Sequence, residues 1–161
     1  VIPELDPIDA AHVEWRWVIE LPDEDFDLAG TADCITKSGA VEDLKTKTSS
    51  PPGTSADTSE QLTWYAMARL VHTGELPREL ALRFLVRTPK TAKTYQKRLA
   101  TVRTMADIAV EQMRIRQAMR SIKTGVFLPA ATDSWRCSQS FCGYFSKCPF
   151  SMKRVQIGSG D

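Results

Sequence analysis

Residues 30–45, running Gly30-Thr31-Ala32-Asp33-Cys34-Ile35-Thr36-Lys37-Ser38-Gly39-Ala40-Val41-Glu42-Asp43-Leu44-Lys45, constrain this chain more than any other stretch. Two apolar segments flank Lys37-Ser38-Gly39, and Ser-Gly supplies the backbone freedom that a tight hairpin needs. The pattern predicts strands over Phe26–Thr36 and Ala40–Thr46. Side chains alternate faces along a strand, so Asp43 and Lys45 project from one face. Asp33, near the end of the partner strand, can reach that face across the hairpin. Two carboxylates and an ammonium converging at a sheet edge suit a hard divalent cation and a phosphate group. An Asp-x-Lys triplet by itself also fits an ordinary charged surface hairpin.

A chain of 161 residues is long enough for one domain with a real core, and 42% hydrophobic content is ordinary for a globular protein. No apolar run approaches the roughly 20 residues of a membrane span. No signal peptide is visible, so a cytoplasmic location is expected, in a bacterium or for a phage protein in its host, without a membrane partner. The chain begins at Val1 rather than Met, so residues upstream are expected. The net charge of +1 conceals an asymmetry. Acids crowd the stretch from Val1 to Asp43, against Arg16 and Lys37. Bases crowd the stretch from Arg83 to Lys123, against Asp107 and Glu111. This split suggests a polyanion laid across a metal site; a solvated helix face is the plainer alternative.

The rest of the chain supplies a scaffold. His12–Leu21 alternates, with Val13, Trp15, Trp17, Ile19 and Leu21 on one face, which predicts a half-buried strand. Pro22–Asp25 reads as a turn. Thr48–Asp57, with Pro51-Pro52-Gly53, reads as a mobile loop without core-forming residues, next to the hairpin. Asp57-Thr58-Ser59-Glu60 opens a helix to about His72, with Leu62, Ala66 and Leu70 inward and Gly74 and Pro77 ending it. Ala81–Thr88 predicts a strand paired with a second over Thr91–Arg103; a helix from Ala92 is the alternative. Thr104–Asp107 caps a long helix with Ile108, Ile115, Met119 and Ile122 inward, stopping at Gly125.

In order, Gly30-x-x-Asp33, Asp43-Leu44-Lys45 and Gln61-x-x-x-Tyr65 resemble the motifs of the PD-(D/E)XK nuclease superfamily, and in particular its RecB-type branch of phage exonucleases and CRISPR-adaptation nucleases. The resemblance covers roughly residues 12 to 148. It implies an α/β fold, a mixed central sheet flanked by helices (a restriction-endonuclease-like core). It also implies that Asp33, Asp43 and the Leu44 carbonyl hold Mg2+ or Mn2+, and that Lys45 is catalytic. Gln61 and Tyr65 would border the site, and their four-residue spacing independently places them on one helix face. Glu14, in the Val13-Glu14 pair, would be a further carboxylate at or beside the metal, or a solvent-facing residue. The family's first motif, a helical His or Glu, is not matched by His12, which sits against a strand; it is expected upstream of Val1. The implied activity is hydrolysis of DNA phosphodiester bonds, as an exonuclease in phage recombination or replication before an endonuclease, with a recombination or replication partner protein or a homo-oligomer as further expectations.

Cys137, Cys142 and Cys148 lie among Trp135, Phe141, Tyr144 and Phe145. Closely spaced thiols without a secretory signal point to metal ligation rather than disulfides. The resemblance implies a four-iron (4Fe-4S) cluster at a Cys-rich C-terminal tail over 135–150, with a fourth cysteine from the N-terminal side; Zn2+ accepts the same thiolates, and packed, reduced cysteines are the third reading. Cys34 follows Asp33 on a strand and should point into the core. Trp15, Trp17 and Trp64 read as core or core edge, and His72 as a favourable charge at a helix C-terminus. Arg87, Lys90, Lys93 and Lys97 could track a DNA backbone. The expected organisation is one nuclease domain over residues 1–150 and a flexible end over 151–161. The alternatives are a non-catalytic DNA-binding protein of the same fold and an interaction module stabilised by a cysteine-bound metal or iron-sulfur cluster.

Overall fold

A computed structural model describes residues 7–21, 25–89, 92–126, 129–131 and 134–151. The fold is α/β. The strands are β1 (Ile8–Ile19), β2 (Leu28–Thr36), β3 (Val41–Lys47), β4 (Leu80–Arg87) and β5 (Thr94–Thr101). Helix α1 (Glu60–Thr73) joins β3 to β4, and α2 (Met105–Thr124) follows β5. The strands form one mixed sheet in the order β1-β2-β3-β4-β5. Among the described residues only β3 and β4 run parallel, being joined by a crossover long enough to hold a helix. The chain divides into two compact units, Val1–Ile115 and Arg116–Asp161.

The hairpin forms as its turn residues dictate. Thr36 N–H donates to the Ala40 carbonyl at 2.9 Å, Gly39 N–H donates to the Thr36 carbonyl, and Gly39 takes the left-handed φ of 87°. Pairing between β2 and β3 is short, being limited to Ile35–Val41 and Cys34–Glu42. Beyond it β2 continues against β1, while β3 continues along β4. The hairpin is therefore a fork, and Asp33 and Asp43 stand at its opening.

Helix α1 starts where the capping signal placed it: Ser59 is the N-cap, its hydroxyl accepting the Leu62 N–H, and Gly74 closes the helix at φ 78°. Leu62, Tyr65, Ala66 and Met67 are buried, as are Val41, Leu80, Leu82, Phe84 and Val86 of the sheet.

Three expectations need correction. β1 begins earlier than predicted, at Ile8, and its register shifts between Ile8 and Val13; Glu14 has a positive φ of 49°. That irregularity breaks the simple alternation, so Val13 is exposed while Trp17 and Ile19 are buried. Ile122 of α2 is exposed rather than inward. The 48–57 loop is anchored: Pro51 and Ala56 are buried, and Lys97 Nζ donates to the Pro51 carbonyl at 3.0 Å. The strand expected within 91–103 is present as Thr94–Thr101, in place of the alternative helix. Residues 22–24 of the turn expected over 22–25, Lys90, and residues 152–161 of the flexible end expected over 151–161 lie outside the described residues.

Candidate active site at the fork of β2 and β3

The two strands separate because a side chain replaces the ladder. Asp33 Oδ2 accepts the Leu44 N–H at 2.6 Å, so the carboxylate satisfies a backbone donor where strand pairing ends. Asp43 is 1% exposed. Lys45 Nζ lies 2.7 Å from Asp43 Oδ2 and donates to Gln61 Oε1 at 3.0 Å. Gln61 Nε2 donates to the Tyr65 hydroxyl at 2.6 Å, and that hydroxyl lies 3.2 Å from Asp43 Oδ1 and 3.0 Å from the Thr31 carbonyl. Asp43, Lys45, Gln61 and Tyr65 thus close a ring. Lysine can only donate, so Gln61 must turn its carbonyl to Lys45 and its amide to Tyr65. Burial, reinforced by the negative charge of Asp43, pushes the Tyr65 phenol up, keeping it a neutral hydroxyl.

Of the residues singled out from the sequence, Asp33, Asp43, Lys45, Gln61 and Tyr65 are brought together. Glu14 is exposed, and it makes no three-carboxylate group with Asp33 and Asp43. The side chain of Leu44 turns to the other face of the sheet, leaving its main chain at the site. Asp43 Oδ2 is buried without a hydrogen bond of good geometry; its near neighbour is the Lys45 ammonium. A buried carboxylate oxygen with free lone pairs fits a small hard cation that takes one or two carboxylates and completes its shell with water and phosphate oxygens. The donor set Asp33, Asp43 and the Leu44 carbonyl suits such an ion.

The cysteines are arranged differently. Among the described residues no three His, Cys, Asp or Glu side chains form a group able to hold a metal. Cys137 and Cys148 both turn to the main chain of Phe150: Cys137 Sγ lies 3.9 Å from its carbonyl, and Cys148 Sγ accepts its N–H at 3.3 Å. The three thiols as placed do not fit a shared metal or cluster. Cys34 is buried on the sheet face away from Asp43, where burial pushes its thiol up.

Sequence reasoning missed Glu42. It is 2% exposed on the opposite face from Asp43, and it accepts two bonds from Arg83, at 2.6 and 2.8 Å, and one from Arg98 at 2.7 Å. Arg98 also pairs with Glu79. Burial works against the Glu42 carboxylate, but the two guanidinium groups outweigh it and hold its pKa below the ordinary glutamate value. The available signal was register: a carboxylate neighbouring Asp43 needs partners on the other face, and Arg83 and Arg98 are paired across β4 and β5. Part of the basic run thus has an internal task. Arg103 holds the approach to α1, and Arg114 pairs with Glu60 and Glu111.

No family model matches this chain, and no curated protein matches it. Among solved structures it is similar to SSO0001, at 17% identity and a TM-score of 0.45, over 87% of this chain and 60% of that one. It is also similar to a protein of Eubacterium rectale named "Putative exonuclease", at 15% identity and a TM-score of 0.49, over 90% of this chain and 55% of that one. The chain thus spans a little over half the length of either structure, and the function of the site rests on the site's own geometry.

Proposed function

We propose that this protein is a divalent-metal-dependent nuclease that hydrolyses DNA phosphodiester bonds, an exonuclease in preference to an endonuclease. One observation carries the reading: the closed ring Asp43–Lys45–Gln61–Tyr65 at the mouth of the fork, with Asp33 beside it. Asp33, Asp43 and the Leu44 carbonyl would hold Mg2+ or Mn2+. Such an ion, when bound, supplies Lewis-acid polarisation of the phosphate and acidifies a water.

The chain's own residues do the rest. Lys45 presents its ammonium where negative charge develops on the phosphate, and Gln61 fixes its direction by accepting a hydrogen bond from it. Tyr65 holds Asp43 Oδ1, which leaves the buried Oδ2 beside Lys45. Burial of Asp43 strengthens each of these interactions relative to water.

The test is degradation of linear and circular duplex DNA by the purified chain, with Mg2+, with Mn2+ and with chelator. Metal-dependent loss of linear DNA from its ends, abolished by Asp43→Ala with DNA binding retained, is the expected result. A folded protein that binds DNA and never cuts it would overturn the reading in favour of a non-catalytic DNA-binding protein.

A further inference from the structure

Register sorts the cations of the sheet by face. Lys45 pairs with Phe84 and Lys47 with Val86, and Phe84 pairs in turn with Lys97. By strand alternation these residues share the face of Asp43. Arg83, Arg87 and Arg98 lie on the other face, with Glu42. Arg87 and Lys97, neighbours in the basic run, are thus on opposite faces. The three lysines of the Asp43 face differ in their partners. Lys45 is held by Asp43 and Gln61, and Lys97 Nζ donates to the Pro51 carbonyl at 3.0 Å. Lys47 is exposed, and among the described residues no carboxylate stands within ion-pair reach of it. Its ammonium lies 5.8 Å from the centroid of the buried Phe84 ring.

We infer that Lys47 binds the DNA phosphate next to the scissile one; the inference rests on the nuclease reading of the adjoining site. Lys47 follows Lys45 on the same face of β3, about 6.6 Å further along the strand. That separation is comparable to the spacing of successive phosphates in an extended strand. The ring beneath Lys47 belongs to Phe84, the register partner of Lys45, so one aromatic side chain adjoins both lysines. It holds the second ammonium on the face of the site at little entropic cost. An ammonium with a ring on one side and no anion on the other keeps its charge available, and a phosphate oxygen is the partner that completes it. Lysine acts here as a point charge, so the contact reads backbone rather than base. The flanking phosphate carries the same charge before and during the reaction, which assigns Lys47 to substrate binding and not to the chemical step.

The experiment measures binding of a fluorescent single-stranded oligonucleotide by anisotropy across a salt series, with chelator present so that nothing is cut, and then steady-state cleavage with Mg2+. Wild type is compared with Lys47→Ala, with Lys47→Arg and, to control for bulk charge, with Arg87→Ala on the opposite face. Both residues are exposed at strand ends, so the variants' circular dichroism melts should match wild type. For Lys47→Ala the plot of log affinity against log salt should be shallower by about 0.7, the loss of one phosphate contact. In cleavage its KM should rise while kcat stays within about twofold of wild type. Lys47→Arg and Arg87→Ala should keep the wild-type slope. An unchanged slope for Lys47→Ala overturns the assignment, as does an equal loss in Arg87→Ala, a fall in kcat at unchanged KM, or a wild-type protein that binds no DNA. A shallower slope confined to Lys47→Ala in a protein that never cleaves sustains the phosphate contact while removing the nuclease reading. Cleavage with an unchanged slope does the reverse.

Discussion

The hydroxyl of Tyr65 lies 3.2 Å from Asp43 Oδ1 and leaves Asp43 Oδ2 beside the Lys45 ammonium. A carboxylate buried in this way serves the site at a cost to the fold, because one oxygen lacks a well-formed hydrogen bond. Asp43→Asn should therefore retain or raise the melting temperature while lowering DNA cleavage by about 10³-fold. Thermal melts and a gel-based cleavage assay on the same preparation check both halves. Unfolding of the variant would show that Asp43 is chiefly structural.

Glu42 should behave in the opposite way. Its removal leaves Arg83 and Arg98 facing each other across β4 and β5 without their shared anion. Glu42→Ala should destabilise the protein by about 3 kcal/mol, the low end for breaking a buried pair, since Arg98 is about one-third exposed and can rehydrate. Urea denaturation monitored by tryptophan fluorescence measures it.

The same carboxylate makes stability depend on pH. Its folded pKa lies below the ordinary glutamate value, so the folded state binds fewer protons than the unfolded state. The contribution is present above the unfolded value and is lost as pH falls through the folded one. Urea midpoints taken from about pH 7 to about pH 3 should fall on the acid side for wild type, and fall less for Glu42→Gln. Asp107, whose carboxylate is also held below its usual range by its bonds to Thr104, contributes equally to both proteins.

Arg103 ties α1 to the end of β5. Its guanidinium donates to the carbonyls of Ala56, Asp57 and Ser59, to the Thr63 hydroxyl, and to Thr101 and Val102. Arg103→Ala leaves this set of acceptors without a donor and should lower stability by about 3 kcal/mol. Arg103→Lys should recover little, because an ammonium cannot span the fork of acceptors. Calorimetric melting of the two variants separates lost charge from lost geometry.

Gly30, the first residue of Gly30-x-x-Asp33, lies under the buried Trp17 ring, and a Cβ there would overlap it. Gly30→Ala should destabilise by about 2 kcal/mol through overpacking. Trp17 is its pairing partner on β1, so Gly30→Ala/Trp17→Leu should recover part of the loss. A neutral single variant would remove the packing explanation.

Much of this was legible in the sequence because it depends on local rules. The Ser38-Gly39 turn, the Ser59 cap and Gly74 terminus of α1, and the spacing of Gln61 and Tyr65 all follow from backbone geometry over a few residues. Strand alternation likewise grouped Asp33, Asp43 and Lys45, whereas Gln61 and Tyr65 joined them only through the family resemblance. The misses have a different origin. The register shift in β1 that exposes Val13 depends on how β1 meets β2. The burial of Pro51 and Ala56 depends on Lys97 and Arg103, both more than forty residues away. The Glu42 network joins strands that the sequence separates widely, so Arg83 and Arg98 read as part of a free basic run until β4 and β5 are seen side by side. No local pattern announces such pairings.

Glu42 and Asp43 are consecutive carboxylates that the pleat of β3 sends to opposite sides, one to arginines and one to the site. The pleat thus acts as a sorting device, and its setting is fixed by the register of β3 on β4. A one-residue slip would turn each acid to the other's face of the sheet, taking Glu42 from its arginines and Asp43 from Lys45 and Tyr65. Lys37 and Ser38 of the turn can therefore vary over evolutionary time while Gly39 is held by its left-handed backbone, whereas single-residue insertions or deletions between Val41 and Lys45 should be purged. The segment should evolve by substitution and almost never by indel.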